Sequence, residues 1–356
     1  MRILVNSPLE LPFTVGARYT GLERLAVQHA EQYAKLGHEV TLMAHKDTSV
    51  PKDVKLLPCD GYIGGERTIH AELRAYQQYQ SEFYKFDAIW DITHLHLPSR
   101  FMNLPIVNIF HATPQYAYQA GYIKAPYNLV SWSKWGVREI AKYYRGGIPT
   151  LNGGQKSVYQ EVIMIDPTIY KPEGKRGERF LTLGRMSPEK GNLNACLLCK
   201  ELGLPLDVVG GRGSEIIPGS ALRQYEGHVK SLCDGEQIKY LGEVSDEEKI
   251  RLMQSCRALL YITDHVEITS HKVQETLLCG APVFIPNSGG MPEIVTHGVD
   301  GFLCSTPNEF IEAIKNIEQL DLSKTREQVL HKYEPEAVAT GFTRLFLNVS
   351  QGLRWQ

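Results

Sequence analysis

Two acidic residues, Glu267 and Glu275, lie eight positions apart in a segment that reads EITSHKVQE. The residues that follow, TLLCGAPVFI, predict an apolar helical turn over 275–279, a break at the Gly-Ala-Pro sequence and a strand over 282–285. A carboxylate on a loop tip and a carboxylate on the next helix can face the same cleft. Because each ionised carboxylate offers several acceptor sites, the pair suits a ligand that is rich in hydroxyl groups.

A second motif, GRMSPEKG at 184–191, lies upstream between a predicted strand and a predicted helix. Gly184 lets the backbone approach a ligand closely, Arg185 can bind a phosphate through two parallel hydrogen bonds, and Lys190 adds a point charge. Together with the helix N-terminus, these residues predict a diphosphate site that needs no metal. Taken alone, the motif fits an ordinary strand-to-helix turn equally well; the carboxylate pair downstream favours the functional interpretation.

A glycine-rich turn, VGGRG at 209–213, follows another predicted strand. It lacks the third glycine of the dinucleotide fingerprint, since Ile216 occupies that position. The segment after the first strand, NSPLELP at 6–12, is not such a loop either. We therefore interpret Gly210 as part of a tight strand-end turn near a nucleotide, and the sequence argues against a dehydrogenase.

The elements that must position these residues alternate between strand and helix along the whole chain. Predicted strands lie at 2–5, 39–43, 88–92, 105–109, 127–131, 180–183, 206–209, 238–241, 258–262 and 282–285, with predicted helices at 23–36, 134–144, 193–202 and 275–279. This alternation predicts an α/β fold of two Rossmann-like, doubly wound parallel-sheet domains that face each other across a cleft. The polar segment KPEGKRG at 171–177 predicts the linker between domains at 1–172 and 173–335. A C-terminal helix within 336–356 could pack back on the first domain.

Composition excludes several classes of function. The net charge of −2 over 356 residues argues against nucleic-acid binding. Seven cysteines without a framework spacing indicate a reducing compartment, and the CLLC segment at 196–199 is interpreted as structural. No stretch is long enough to span a bilayer, so we expect a cytoplasmic protein with at most peripheral membrane contact. The THLH segment at 93–96 lacks further zinc ligands nearby, and we expect its histidines to bond to backbone groups.

Together, these motifs resemble those of the retaining GT-B glycosyltransferases of family 4, the glycosyl transferases group 1. The resemblance covers most of 179–304, including CGAPV at 279–283 and GGMPEIV at 289–295. In the first half it is carried by TGLER at 20–24, GHEV at 37–40 and FHATP at 110–114.

The resemblance implies a hexosyltransferase-type enzyme that moves a sugar from a nucleotide-sugar donor to an acceptor hydroxyl group with retention of configuration. Arg185 and Lys190 would hold the donor diphosphate and stabilise the leaving group, without a metal or another cofactor. Glu275 would bind the ribose and Glu267 the hydroxyl groups of the transferred sugar. The acceptor would be a glycan, a lipid-linked molecule or a small molecule.

Five glycines and a histidine take part in the same implied reaction. Gly289 and Gly290 would line the donor pocket together with Gly184 and Gly210. In the first domain, Gly21 would let a loop close on the phosphates. His111, the remaining catalytic candidate, would meet the sugar.

One departure from the family pattern follows Glu267, where the usual Gly-Phe-Gly is replaced by ITS at 268–270. Ser270 or Lys272 would then substitute for the missing backbone contacts to the phosphate. This departure supports one alternative, a catalytically degenerate GT-B protein that binds a nucleotide-sugar or glycan. A second alternative is a nucleotide-sugar epimerase or sugar phosphorylase on the same fold.

Overall fold

The computed structural model of the chain describes residues 1–14, 21–61, 68–111, 127–143, 158–160, 163–211, 220–323 and 325–355. The chain divides into two compact units. The first unit comprises Met1–Met164 and Glu334–Gln356, and the second comprises Ile165–Tyr333. The second unit thus begins eight residues before the predicted linker boundary, because the segment from 165 to 172 contributes contacts to the second unit, such as the bond from the Ile165 N–H to the carbonyl of Tyr333.

In the part of the first unit that the structure describes, seven parallel strands form one sheet in the order β3-β2-β1-β4-β5-β6-β7. The strands are β1 Arg2–Asn6, β2 Glu39–His45, β3 Val54–Cys59, β4 Ala88–Asp91, β5 Ile106–Phe110, β6 Leu129–Ser131 and β7 Val158–Gln160. The central strands are apolar and buried, which is the pattern of a parallel sheet covered on both faces.

The helices described for this unit are α1 Leu22–Lys35, α2 Thr68–Tyr79, α3 Leu97–Phe101, α4 Lys134–Tyr143 and α11 Pro335–Ser350, the last in the C-terminal stretch. Helix α1 ends just before Gly37, whose φ of 84° lets the chain turn into β2. Helix α11 packs on α1, β4 and β5.

An aromatic cluster joins α11 to the rest of the first unit. The imidazole of His29 stacks on Trp90 with centroids 4.1 Å apart, and Phe342 meets His29 edge-on at 5.2 Å. Tyr33 packs against Phe346 at 5.1 Å. The C-terminal stretch therefore completes the core of the first unit.

In the second unit, the sheet of the described ranges has six parallel strands in the order β10-β9-β8-β11-β12-β13. The strands are β8 Phe180–Leu183, β9 Leu206–Val209, β10 Ile238–Gly242, β11 Leu259–Leu260, β12 Val283–Pro286 and β13 Gly301–Cys304. The helices that accompany them are α5 Asn192–Leu202, α6 Ser220–Leu232, α7 Asp246–Ser255, α8 His271–Leu278, α9 Pro307–Lys315 and α10 Thr325–Leu330.

Both sheets reverse their strand order beside their first strand, as doubly wound sheets do, so the prediction of two doubly wound parallel-sheet domains is confirmed. In the second unit, the reversal lies between β8 and β11, and the loops that follow these strands share one edge. One helix was misplaced by the prediction: α8 begins at His271 and not at Glu275, so Glu275 lies inside the helix. None of the helices in the described ranges combines the length and hydropathy that crossing a bilayer requires.

Candidate functional site

Two glycines close neighbouring strands of the second sheet. Gly184 follows β8 with a φ of 143°, and its N–H donates to the carbonyl of Val209 over 3.1 Å. Gly210 follows β9 with a φ of 134°, and a Cβ there would lie 2.0 Å from the carbonyl oxygen of Gly184. Their backbones therefore pack in direct contact, which no larger residue at 210 would allow without a shift.

The loop after Gly184 carries the two predicted phosphate-binding cations. Arg185 Nη2 donates to Glu189 Oε1 over 2.5 Å. Burial alone would raise the pKa of Glu189, but hydrogen bonds from Ser187 and Arg185 and the charge of Arg185 lower it below its usual value. The Thr263 hydroxyl donates to the Glu189 carbonyl over 3.0 Å and ties the loop to the end of β11.

Lys190 reaches across to the loop after β11. It ends a short 3-10 turn, Pro188–Lys190, and its Nζ donates to Glu267 Oε1 over 2.6 Å. Gly191 is pressed against the same loop, since a Cβ there would lie 2.1 Å from the Ile262 carbonyl oxygen. The structure thus brings together the predicted residues Lys190 and Glu267, which are 77 positions apart in the sequence.

Two further side chains complete the cluster around Glu267. The Tyr261 hydroxyl donates to Glu267 Oε1, and Lys272 Nζ lies 3.4 Å from the centroid of the Tyr261 ring. Lys272 Nζ also donates to the carbonyl of Leu183 over 2.8 Å, at the end of β8. The cluster therefore contains two lysines, one carboxylate and one phenol.

Burial and charge act against each other in this cluster. Burial would raise the pKa of Glu267, but the charge and hydrogen bond of Lys190, with Lys272 and Tyr261, lower it below its usual range. Burial and the neighbouring charge of Lys190 hold the pKa of Lys272 well below its ordinary value. Burial and the Glu267 carboxylate raise the pKa of Tyr261. Glu267 is therefore an anion that accepts hydrogen bonds.

The glycine turn at 289–290 holds the backbone of Glu267. The Gly290 N–H donates to the Glu267 carbonyl over 2.9 Å. Gly289 has a φ of 62°, and a Cβ there would lie 2.3 Å from the same oxygen. The two predicted pocket glycines therefore position the carboxylate through its main chain.

Glu275, the second carboxylate of the pair, has different partners. It lies on α8, and Lys249 Nζ of α7 donates to its Oε2 over 3.3 Å and to the Tyr170 hydroxyl over 3.2 Å. Burial would raise the pKa of Glu275, but the charges of Lys249 and His271 and a hydrogen bond from Tyr170 lower it. The contacts of Glu267 and Glu275 thus form two networks, each with its own lysine.

The remaining two candidates lie in the first unit. Gly21 precedes α1, and its carbonyl accepts from the Leu25 N–H over 3.2 Å. Among the described atoms, none lies within 4 Å of the position where a Cβ on Gly21 would stand. His111 follows β5, and its Nε2 lies 2.9 Å from His94 Nδ1.

Several partners were not singled out from the sequence. Tyr261, Lys249 and Tyr170 carry no motif, and only their position at strand ends and on helix faces brings them to the carboxylates. The prediction for the THLH segment was wrong, because His94 Nε2 lies 3.2 Å from Glu10 Oε1 and the imidazole pairs with side chains. In the ranges that the structure covers, no group of three His, Cys, Asp or Glu side chains is placed to hold a metal ion.

The chain is similar in sequence to known proteins. Residues 169–333 match the family model described as glycosyl transferases group 1. The human Alpha-1,3/1,6-mannosyltransferase ALG2 is 38% identical over 112 residues, which are 29% of this chain and 26% of that protein. This chain therefore matches about a quarter of the relative's length.

Solved structures show the same fold over nearly the whole chain. Sucrose-phosphate synthase from Thermosynechococcus elongatus has a TM-score of 0.78 at 17% identity and covers 99% of both chains. Anabaena Alr3699/HepE in complex with UDP-glucose has a TM-score of 0.70 at 15% identity and covers 97% of this chain and 98% of its own. The two-sheet architecture is the GT-B fold.

Proposed function

We propose that this chain is a retaining, family 4 glycosyltransferase that uses a nucleotide-sugar donor, because residues 169–333 match the family model of the glycosyl transferases group 1. The observation that carries the proposal is the Lys190–Glu267 ion pair beside Arg185, at the edge of the sheet where doubly wound folds bind ligands. A hexose is the expected sugar, since Anabaena HepE was solved with UDP-glucose.

In this proposal, Arg185 and Lys190 bind the donor diphosphate. The side chains of both residues are about a quarter exposed, and each forms an ion pair with a carboxylate, that of Glu189 or Glu267. A diphosphate would take the place of these carboxylates as the partner of the cations. Their positive charge would then stabilise the negative charge that develops on the leaving group, without a metal ion or other cofactor.

Donor binding would also release Glu267. Once Lys190 turns to the phosphate, the ionised Glu267 can accept hydrogen bonds from hydroxyl groups of the transferred sugar. The bond from Gly290 to its carbonyl would keep the carboxylate in place during this exchange. Glu275 would bind the ribose in the same manner, in exchange for its contact with Lys249.

Retention of configuration would follow from attack on the same face of the sugar from which the diphosphate departs. The departing phosphate oxygen would help to remove the proton of the acceptor hydroxyl group. The acceptor is a glycan, a lipid-linked molecule or a small molecule. The cysteines of the described ranges are free thiols, which favours a reducing, cytoplasmic location.

Thermal-shift binding tests the proposal. UDP-, GDP-, ADP- and dTDP-sugars are each added first with EDTA and then with Mg²⁺. A ligand at one hundred times its dissociation constant stabilises the folded state by about 2.7 kcal/mol, so binding is visible as a higher melting temperature. We expect one nucleotide family to raise the melting temperature of the wild type in EDTA. Arg185→Ala and Lys190→Ala should lose this shift, each compared with its own ligand-free protein.

Lys315→Ala is the matched control, because Lys315 forms an exposed pair with Glu312 at 2.8 Å in the same unit. It should bind the donor like the wild type. The stabilising donor is then tested for slow release of its sugar to water and for transfer to an acceptor panel. Binding that survives in both site variants would refute the assignment of the diphosphate site. Binding without any turnover would support the degenerate alternative.

A further inference from the structure

A partly buried cluster of acidic and imidazole side chains lies at the carboxyl ends of β1, β4 and β5 in the first unit. Glu23 and Glu72 are each 6% exposed, and His94 and Glu10 lie beside them. The family resemblance assigns a role to His111 alone among these residues, and the proposed function uses none of the others.

His94 lies between a carboxylate and a second imidazole. Its Nε2 lies 3.2 Å from Glu10 Oε1, and its Nδ1 lies 2.9 Å from His111 Nε2. Its backbone N–H donates to Glu72 Oε1 over 2.9 Å, and the Leu95 N–H donates to Glu72 Oε2 over 3.1 Å. Both the main chain and the ring of His94 are therefore held in place.

The hydrogen-bonding capacity of these groups restricts where the protons lie. An ionised Glu10 oxygen 3.2 Å away would repel a lone pair on His94 Nε2, so this nitrogen carries a proton. One proton lies between His94 Nδ1 and His111 Nε2. If His94 is the imidazolium, it donates that proton, and neutral His111 carries its own proton on Nδ1. If His94 is neutral, His111 donates from Nε2, and its Nδ1 becomes an acceptor.

The surrounding charges select the first arrangement. Burial alone would lower the pKa of His94, but the adjacent Glu10 carboxylate, with the charges of Glu72 and Glu23, raises it to about 9. Burial and the charges of His94 and His96 hold the pKa of His111 well below its usual value. At neutral pH the pair is therefore an imidazolium, His94, beside a neutral imidazole, His111.

We propose that Glu10 and His94 are positioning residues that fix the proton of His111 on Nδ1, so that His111 offers an N–H donor to an oxygen of the bound ligand. Nδ1 of His111 is buried, and no described group completes a hydrogen bond to it. The backbone carbonyl of Ile109 faces the ring and can only accept, which is compatible with a proton at this position. That the oxygen belongs to a sugar hydroxyl group rests on the proposed function.

The arrangement has a definite response to alkaline pH. The groups that face His94 are the Glu10, Glu23 and Glu72 carboxylates and His111, while His94 and His96 face His111. When His94 loses its charge, the bridging proton moves to Nε2 of His111 and the Nδ1 proton leaves for solvent. One proton is lost in total, and His111 changes from a donor to an acceptor at Nδ1.

Nitrogen-15 NMR of the histidine side chains reports the protonation state and the tautomer of His94 and His111 in the full chain, without any ligand. His94→Gln and His111→Gln assign the resonances. At pH 7 we expect both nitrogens of His94 to be protonated and His111 to be the Nδ1–H tautomer. Both signals should change together between about pH 8 and 10. A His111 that carries its proton on Nε2 at pH 7, or a neutral His94, would overturn the proposal.

Glu10→Gln tests the cause, because it keeps the size of the side chain and removes its charge. The proton affinity of His94 should fall at least tenfold, and the midpoint of its transition should move to lower pH accordingly. Glu39→Gln is the matched control, since Glu39 forms an exposed pair with Lys55 at 2.6 Å in the same unit, and it should leave the midpoint unchanged. An equal shift in both variants would contradict the role of Glu10. The tautomer is read without donor, so this result is independent of the binding panel.

Discussion

Replacement of Gly289 by alanine should damage the site through the main chain of Glu267. Gly289 has a φ of 62°, which an alanine adopts at a cost of roughly 1–2 kcal/mol. The new methyl group would lie 2.3 Å from the Glu267 carbonyl oxygen and 2.9 Å from Val266 Cγ1. Both distances are too short for a Cβ, so the backbone of Glu267 must move.

The matched control is Gly203→Ala. Gly203 ends α5 with a φ of 67°, so alanine meets the same backbone cost there. No described atom lies within 4 Å of its Cβ position. The difference between the two variants therefore isolates the close approach to Glu267. Overpacking costs about 1–3 kcal/mol, and loss of the Gly290 to Glu267 bond adds about 1 kcal/mol.

We expect Gly203→Ala to lower the free energy of unfolding by about 1–2 kcal/mol and Gly289→Ala by about 3–6 kcal/mol. Urea unfolding measures the free energy of unfolding of both variants. It is followed by circular dichroism, because all four tryptophans lie outside 165–333 and their fluorescence does not report on the second unit. A displacement of about 1 Å can lower a rate roughly a hundredfold. Turnover of the donor found in the binding panel should therefore fall by about that factor in Gly289→Ala and stay unchanged in Gly203→Ala.

The reasoning is refuted if the two variants lose equal stability, or if Gly289→Ala keeps full turnover. Either result would mean that the Glu267 loop adapts to the methyl group. The contact between the glycine turn and Glu267 would then be incidental to the position of the carboxylate.

Two further changes have defined outcomes. Burial lowers the pKa of Lys272, so this amine takes up a proton when the protein unfolds, and the free energy of unfolding should rise with pH towards about 10.5. Lys272→Met should flatten this rise. The urea midpoints of both proteins at pH 7 and pH 10 measure the difference. An equal rise in the variant would contradict a lowered pKa of Lys272. Trp355→Ala should destabilise the first unit by about 3–5 kcal/mol, because the buried indole fills the core and its N–H donates to the Leu129 carbonyl over 3.0 Å. Unfolding followed by tryptophan fluorescence measures this loss. Trp355→Phe, which keeps most of the apolar contact, should lose far less, and equal losses would show that packing contributes little.

Much of the fold was readable from the sequence, because buried parallel strands are short apolar runs. The strands at the start of each unit, Arg2–Asn6 and Phe180–Leu183, were predicted within a residue. Helix α7 was missed although its signal is present: Ser245 Oγ accepts from the Glu248 N–H over 3.2 Å, as in a capping box. Helix α8 was shortened because its first turn, HKVQ, is largely polar.

The site was readable only in part. The motifs supplied Lys190 and Glu267 but not their ion pair, which forms across 77 positions of sequence. The separation of Glu275 from this pair depends on Lys249, a residue of a helix that was not predicted. His94 contacts Glu10 and His111 only because the loops that follow three different strands meet. The spacing of residues within one loop does not predict its distance from the other two loops.

The two stretches of the first unit have a consequence for synthesis on the ribosome. Between them lie about 170 residues of the second unit, which translation at roughly 5–20 residues per second delivers in about 10–30 s. During that interval Tyr33 and Trp90 lack the aromatic cover of Phe342 and Phe346. The second unit is encoded without interruption, so it can finish folding while the nascent first unit still exposes an apolar face that only the last helix covers.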